Sequence, residues 1–172
     1  HVCRDDVTAI ADIVRERHSK TRVLITTGGL GPTDDDITRD GVAGALDLGL
    51  VQDDDVWEGI VSFFADRGAP TTANKRRQAM IPDGADAIAN HNGTAPGFHL
   101  EGGGCDVFVR PGPPRELGPM LEAFVAPKVA DIFGREPLRV ETFRTIGMGE
   151  SQLFARFEQD IEKVTAFGLS YL

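Results

Sequence analysis

Cysteine is scarce in this chain: Cys3 and Cys105 are the only two in 172 residues. Thiols so far apart form no recognisable metal or redox motif, and a reducing cytoplasm is the expected setting. Long apolar runs are missing too. No stretch approaches the ~18 residues that a membrane span needs, and no secretory leader pattern is legible. Positive charge is in short supply, with 18 Lys and Arg against 27 Asp and Glu, a net charge of -9 and a pI of about 4.8. Without a basic stripe to neutralise phosphates, nucleic acid is not an expected partner. The one dense basic run, Lys75 to Arg77, reads better as a solvated helix face than as a binding patch. There is no Gly-Lys-Ser/Thr after a glycine loop, hence no P-loop, and no G-x-G-x-x-G dinucleotide fingerprint. The four histidines, His1, His18, His91 and His99, show no ligand spacing and read as ordinary loop or surface residues. Internal repeats and low-complexity tracts are absent.

What is present suits one globular domain with a small second unit, long enough to bury a core without disulfide staples. Asp5 or Asp6 can cap a helix that places Val7, Ile10, Ala11 and Val14 on one face. The run from Arg22 to Thr27 is short, apolar and β-branched, as a buried parallel strand is. A helix is expected from Thr38 to Leu48, with Val42, Ala45 and Leu46 inward. A second is expected from about Asp54 to Asp66, with Val56, Ile60, Phe63 and Phe64. There the acids Asp53 to Asp55 suit a helix N-terminus. A third helix is expected over Thr72 to Met80, stopping before Pro82. Two strands flank the turn at Glu101 to Gly104, and a helix follows Pro111 to Pro114 through Leu117, Leu121, Phe124 and Val125. After a linker at Gly134 to Pro137, a strand (Arg139 to Ile146), a helix with Leu153, Phe154, Phe157 and Ile161, and a further strand form a β-α-β fragment. The start at HVCRDD and the end at FGLSYL read as cuts within a longer protein.

Three loops hold the candidate chemistry: Gly28 to Asp36, Asn90 to Gly97, and Pro111 to Glu116. The first and third follow predicted strands, and open α/β sheets bind ligands beyond the carboxyl ends of their strands. The strands before these loops are therefore expected in one largely parallel sheet, with helices on both faces and both loops at the same edge. In the first loop, glycines let backbone N–H groups approach an anion, and the next helix adds its positive end. The acids Asp34, Asp35 and Asp36 would repel a bare phosphate. Spacing alone leaves two roles open for them, capping the helix or holding a divalent cation through hard oxygen ligands. In the second loop Asn90, Asn92 and Thr94 can orient a polar ligand or form a plain polar turn. The prolines of the third make a rigid pocket wall.

The segments TTGGLGPTDDDITRD, NKRRQAMIPDGA, NHNGTAPGF, RPGPPREL and GMGES occur in one order. Together they closely resemble the CinA family (competence/damage-inducible protein A) across nearly the whole chain. The resemblance implies a doubly wound, three-layer α/β/α sandwich of the molybdopterin-binding type over residues 1–134. It implies the start of a small KH-like α+β domain over residues 135–172. That family carries a strand and a helix before the region matching CRDD, so part of the sheet and one wall of the site are expected outside this sequence. Its C-terminal amidohydrolase domain has no counterpart here, so deamidation of nicotinamide mononucleotide is not assigned.

Molybdopterin-like domains of this kind are linked to metal-dependent cleavage of the pyrophosphate in ADP-ribose and related dinucleotides. Relatives in molybdenum cofactor synthesis transfer an adenylyl group to molybdopterin. The resemblance therefore implies Asp36 and Asp5 at the reaction centre, and Gly28, Gly29 and Gly31 as phosphate-loop residues. Thr27, Asn90, Gly93, Thr94, Pro111 and Gly112 join the expected ligand-binding set. Asp34, Asp35 and Asp36 are the expected ligands of Mg²⁺ or a similar divalent ion. The expected partner is a nucleotide or pterin, and the expected assembly a homodimer. The alternative is a molybdopterin- or nucleotide-binding module with no activity of its own.

Overall fold

The computed structural model describes residues 1–134, 144 and 146–161. The chain divides into two compact units, His1–Pro137 and Leu138–Leu172.

In the first unit, helix α1 (Val7–His18) starts at Asp6, whose carboxylate accepts the Ala9 N–H at 2.8 Å. The cap is thus Asp6 and not Asp5. Strand β1 (Val23–Thr27) leads through the glycine loop into α2 (Thr38–Ala45). Strand β2 (Leu50–Gln52) precedes α3 (Asp54–Ala65), which Asp53 caps by accepting the Val56 N–H at 2.9 Å. The segment expected as a third helix is a 3-10 helix, Ala73–Ala79. Three strands follow: β3 (Met80–Pro82), β4 (Asp86–Ile88) and β5 (Gly97–Gly102). A two-residue turn at Gly103 and Gly104, both at positive φ, joins β5 to β6 (Cys105–Arg110). Such a turn matches the twist of a hairpin.

The main sheet has the order β1-β6-β5-β4, and β2 pairs with β3 in a second, antiparallel sheet. Strands β1 and β6 are parallel, with Thr27 opposite Arg110. The sheet is nevertheless not largely parallel. Both β5–β6 and β4–β5 are antiparallel; between β5 and β6 a two-residue turn can only reverse the chain. Strands β1 and β6 lie in one sheet, as expected, and at its edge Ile25 of β1 is 40% exposed.

Alternation along the strands builds the layers. Val107 and Val109 of β6, with Phe98 and Leu100 of β5, pack with Ala11 and Val14 of α1 and Val42 and Ala45 of α2. Phe108 faces the other way, against Met120, Val125 and Phe124. Those belong to α4 (Pro114–Met120), a π turn (Leu121–Val125) and α5 (Ala126–Phe133). In the π turn the Ala126 N–H reaches back to the Leu121 carbonyl. The widened turn relieves the clash that the ring of Pro127 would make with the carbonyl four residues earlier. Helices thus cover both faces of one sheet, a three-layer α/β/α sandwich.

His99 is no surface residue. It lies on β5 at 1% exposure, stacks on Phe108 with ring centroids 4.5 Å apart, and its Nε2 sits 2.7 Å from Asp106 Oδ1. In the second unit α6 (Glu150–Ile161) follows the glycine turn as expected. The strand expected at Arg139 to Ile146 falls largely outside the described residues, and the one after the helix wholly so.

Candidate functional site

A cleft of about 480 Å³ opens where β1 and β6 end. Its floor is set by the parallel pairing, because the Gly28 N–H donates to the Arg110 carbonyl at 2.8 Å and so ties the two loops together. Gly28, Gly29, Leu30, Gly31 and Asp36 line it from the first loop; Asn92, Gly93, Thr94 and Ala95 from the second; Pro111, Gly112, Pro113, Arg115 and Glu116 from the third. The three loops singled out in the sequence therefore meet at one place.

Three lining glycines are sterically required; on Gly31 a Cβ would lie 2.3 Å from Asp36 Oδ2. Gly29 sits at φ +67, and a Cβ there would lie 2.2 Å from Thr38 Oγ1. A Cβ on Gly93 would lie 2.4 Å from Glu116 Oε2. That carboxylate is buried and accepts the Asn90 amide at 2.8 Å, and Asn90 also holds the Ala95 carbonyl. Asn90 thus braces the loop from behind and does not line the cleft. Among the described residues, the N–H groups of Gly29, Leu30 and Gly112 have no hydrogen-bond partner. Unsatisfied backbone donors in a concave site call for an acceptor, from solvent or from a ligand.

Beneath the first loop lies Arg39, 1% exposed, whose guanidinium donates to the Leu30 and Gly31 carbonyls. Burial pulls its pKa down to about 10, Arg77 pushes the same way, and Asp40 and Asp36 oppose them. Pinning those carbonyls fixes the orientation of the loop's peptide groups. Sequence patterns gave no signal for this, because an arginine in the first turn of a helix ordinarily points to water.

The acid run divides. Asp36 lines the cleft and closes the loop, its Oδ2 accepting the Thr33 N–H at 2.9 Å and the Thr33 hydroxyl at 2.6 Å. Partial burial works against its charged form. The Thr33 hydroxyl and N–H, the Gly31 N–H and the charge of Arg39 outweigh that and hold its pKa below the ordinary carboxylate value. Asp34 and Asp35 are exposed and outside the lining, Asp34 reaching Arg77 only at 4.0 Å. Among the described residues no three His, Cys, Asp or Glu side chains are placed to hold a metal ion. Of the three aspartates, Asp36 alone lines the cavity. Asp5 and Thr27 are exposed and do not line the cleft.

The remaining lining was not singled out from the sequence. Phe63 and Phe64 of α3, and Gln78 of the 3-10 helix, complete the wall. Both elements read as core-packing helices in a one-dimensional pattern, and only the fold turns these residues toward the loops. The basic run is likewise more than a solvated face. Arg77 pairs with Asp40 at 2.9 Å, Arg76 lies over the Trp57 ring, and Lys75 over Phe64.

A parallel strand pair carrying glycine loops at its carboxyl end, inside a three-layer sandwich, defines an α/β domain of the class that holds its ligands beyond the carboxyl ends of the strands. A family model described as "Probable molybdopterin binding domain" matches residues 1–131, and the chain belongs to that family. Within it the chain is similar to CinA proteins, as the order of motifs implied. It is 36% identical over 168 residues to a CinA-like protein of Akkermansia muciniphila, covering 96% of this chain and 41% of that one. It is 41% identical over 155 residues to a putative competence-damage inducible protein of Symbiobacterium thermophilum, covering 88% of this chain and 36% of that one. The chain thus spans about two fifths of the length of the curated relatives it matches. The crystal structure of the protein CinA, of unknown function, from Thermoplasma acidophilum superposes with a TM-score of 0.65 at 32% identity, covering 74% of this chain and 73% of that one. No helix among the described residues is long and apolar enough to cross a membrane.

Proposed function

We propose that the cleft binds the pyrophosphate of a nucleotide or pterin, and that the complete protein hydrolyses ADP-ribose or a related dinucleotide at that linkage. One observation carries the reading: Gly29, Leu30 and Gly112, whose N–H groups have no partner among the described residues, all line one cavity at the carboxyl ends of two parallel strands. Such donors favour an anion that brings several oxygens. Asp36 is the acid of the run best placed to act, since it is held ionised at the cleft wall. Dependence on a divalent cation belongs to the same proposal, with Asp36 as its protein carboxylate. Mg²⁺ characteristically takes one or two carboxylates and completes its sphere with water and substrate phosphates.

A binding module without chemistry is the second reading. It is favoured by the engagement of Asp36 with Thr33 and by the position of Asp5 outside the lining. Product analysis separates the two. Incubating the complete protein with ADP-ribose and Mg²⁺ should yield AMP and ribose 5-phosphate. Chelator should stop the reaction, and Asp36→Asn should abolish it while leaving the fold intact. Tight binding with no cleavage under any divalent metal decides for the module. Homodimerisation, a cytoplasmic setting, a domain boundary near Gly134 and a KH-like second unit remain part of the proposal for the complete protein.

A further inference from the structure

The cleft lining has two chemically distinct parts. Besides the glycine loops it includes Phe63 and Phe64, adjacent in sequence and edge-to-face, with ring centroids 5.7 Å apart and planes at 78°. Both are partly exposed, and neither belongs to the hydrophobic core clusters. In α3 only Ile60 is buried. Two aromatic rings kept out of the core and left partly exposed in a cavity are costly unless something apolar and flat covers them. Cations steady the pair: the Arg67 guanidinium lies 3.5 Å from the Phe63 ring centre, and Lys75 Nζ 5.1 Å from that of Phe64. Beside them Gln78 is 2% exposed, and its Oε1 accepts the Thr94 hydroxyl at 3.1 Å. Its amide nitrogen has no partner among the described residues, although Gln78 lines the cavity. With the amide oriented as in the structure, Oε1 takes the Thr94 hydroxyl and the NH₂ group stays open to an acceptor.

We infer that Phe63 and Phe64 form the platform for the planar heteroaromatic ring of a phosphorylated ligand, with the Gln78 NH₂ donating to a heteroatom on the edge of that ring. This rests on the pyrophosphate reading above and adds the residues that select the ring. The division of labour is physical. Phosphates take the loop donors, a flat π system takes the aromatic wall, and a single fixed donor reads its edge. A purine and a pterin share that chemistry. A bare sugar phosphate or inorganic pyrophosphate has no ring to place there.

Calorimetric titration of the full-length protein with ADP and with inorganic pyrophosphate tests the inference. Stacking of a base on aromatic side chains predicts ADP binding at least about tenfold tighter than pyrophosphate. Phe64→Ala should erase that margin and leave pyrophosphate affinity unchanged, while Phe64→Tyr should keep it. Phe63→Leu and Phe64→Leu retain side-chain bulk without the ring and guard against a folding defect, with Tm as the check. Gln78→Leu should weaken ADP severalfold and pyrophosphate not at all. Competition by adenosine or by neopterin identifies the source of the ring, and displacement by either supports the platform. Equal affinity for ADP and pyrophosphate in the parent protein overturns the platform and leaves the pyrophosphate reading standing. So does a leucine variant that weakens both ligands alike. A parent protein that binds neither ligand removes both readings together.

Discussion

The two ends of the β1–β6 pair each carry a cleft, and the larger one is not the candidate site. At the amino ends of these strands a cavity of about 630 Å³ is lined by Arg22, Glu101, Gly102 to Gly104, Cys105, Asp106 and Ile132. Its Arg22, Cys105 and Asp106 side chains are already committed. The Arg22 guanidinium donates to the Ile132 carbonyl and lies 4.8 Å from the Phe133 ring centre. Asp106 is bonded to His99, and the Cys105 thiol lies beside the Thr21 hydroxyl, its pKa pushed up chiefly by burial. The carboxyl end offers a smaller space, about 480 Å³, but keeps loop N–H groups and the Gln78 amide without partners. Size alone therefore does not mark a site. Unspent hydrogen-bonding capacity, held rigidly in a concave surface, does.

Substitutions at the two ends should separate along the same line. The largest effect is expected at Arg39. Arg39→Met leaves two loop carbonyls without their buried donor and should cost about 3 kcal/mol in chemical denaturation, together with loss of ligand binding by calorimetry. Retention of binding in a folded Arg39→Met protein would break the link between loop geometry and function.

Gly29→Ala comes next. Its left-handed φ and the contact with Thr38 Oγ1 should cost about 2 kcal/mol and weaken pyrophosphate at least tenfold. The matched control at the other end is Gly104→Ala, also at positive φ but with open space around a Cβ. It should cost about 1 kcal/mol and leave ligand affinity untouched. A Gly104 variant that lost the ligand would erase the contrast between the two ends.

His99→Leu probes the committed end. It removes the 2.7 Å contact to Asp106 and leaves that carboxylate poorly satisfied, for about 1–2 kcal/mol of stability. Pyrophosphate titration should match the parent protein.

The smallest effect on stability is expected from Asp36→Asn, read as a pH profile. A carboxylate whose pKa is lowered by folding stabilises the native state above the pKa of the unfolded chain. That contribution is lost as pH falls through the folded value. Urea midpoints should therefore fall less steeply on acidification below about pH 4 in Asp36→Asn than in the parent. An unchanged acid slope would show that the Thr33 contacts do not favour the ionised form.

Sequence alone determined many of the local elements and singled out the three loops that line the cleft. Capping acids, β-branched runs and glycine-proline loops act through contacts a few residues apart, so Asp6, Asp53, β1 and β6 were legible. The order of motifs carried the family. What tertiary structure decided depends on residues distant in the chain. The short strands β2, β3 and β4 are three residues each, too short for a period-2 pattern, and they exist only because a partner strand supplies their hydrogen bonds. The acid run looked uniform in one dimension. Packing of Arg39 under the loop and Thr33 against Asp36 turned one carboxylate into the cleft and left two in solvent. Phe63, Phe64 and Gln78 became cleft lining, and His99 a buried partner of Asp106, because the side of an element that faces a cavity is set by what packs against its other side.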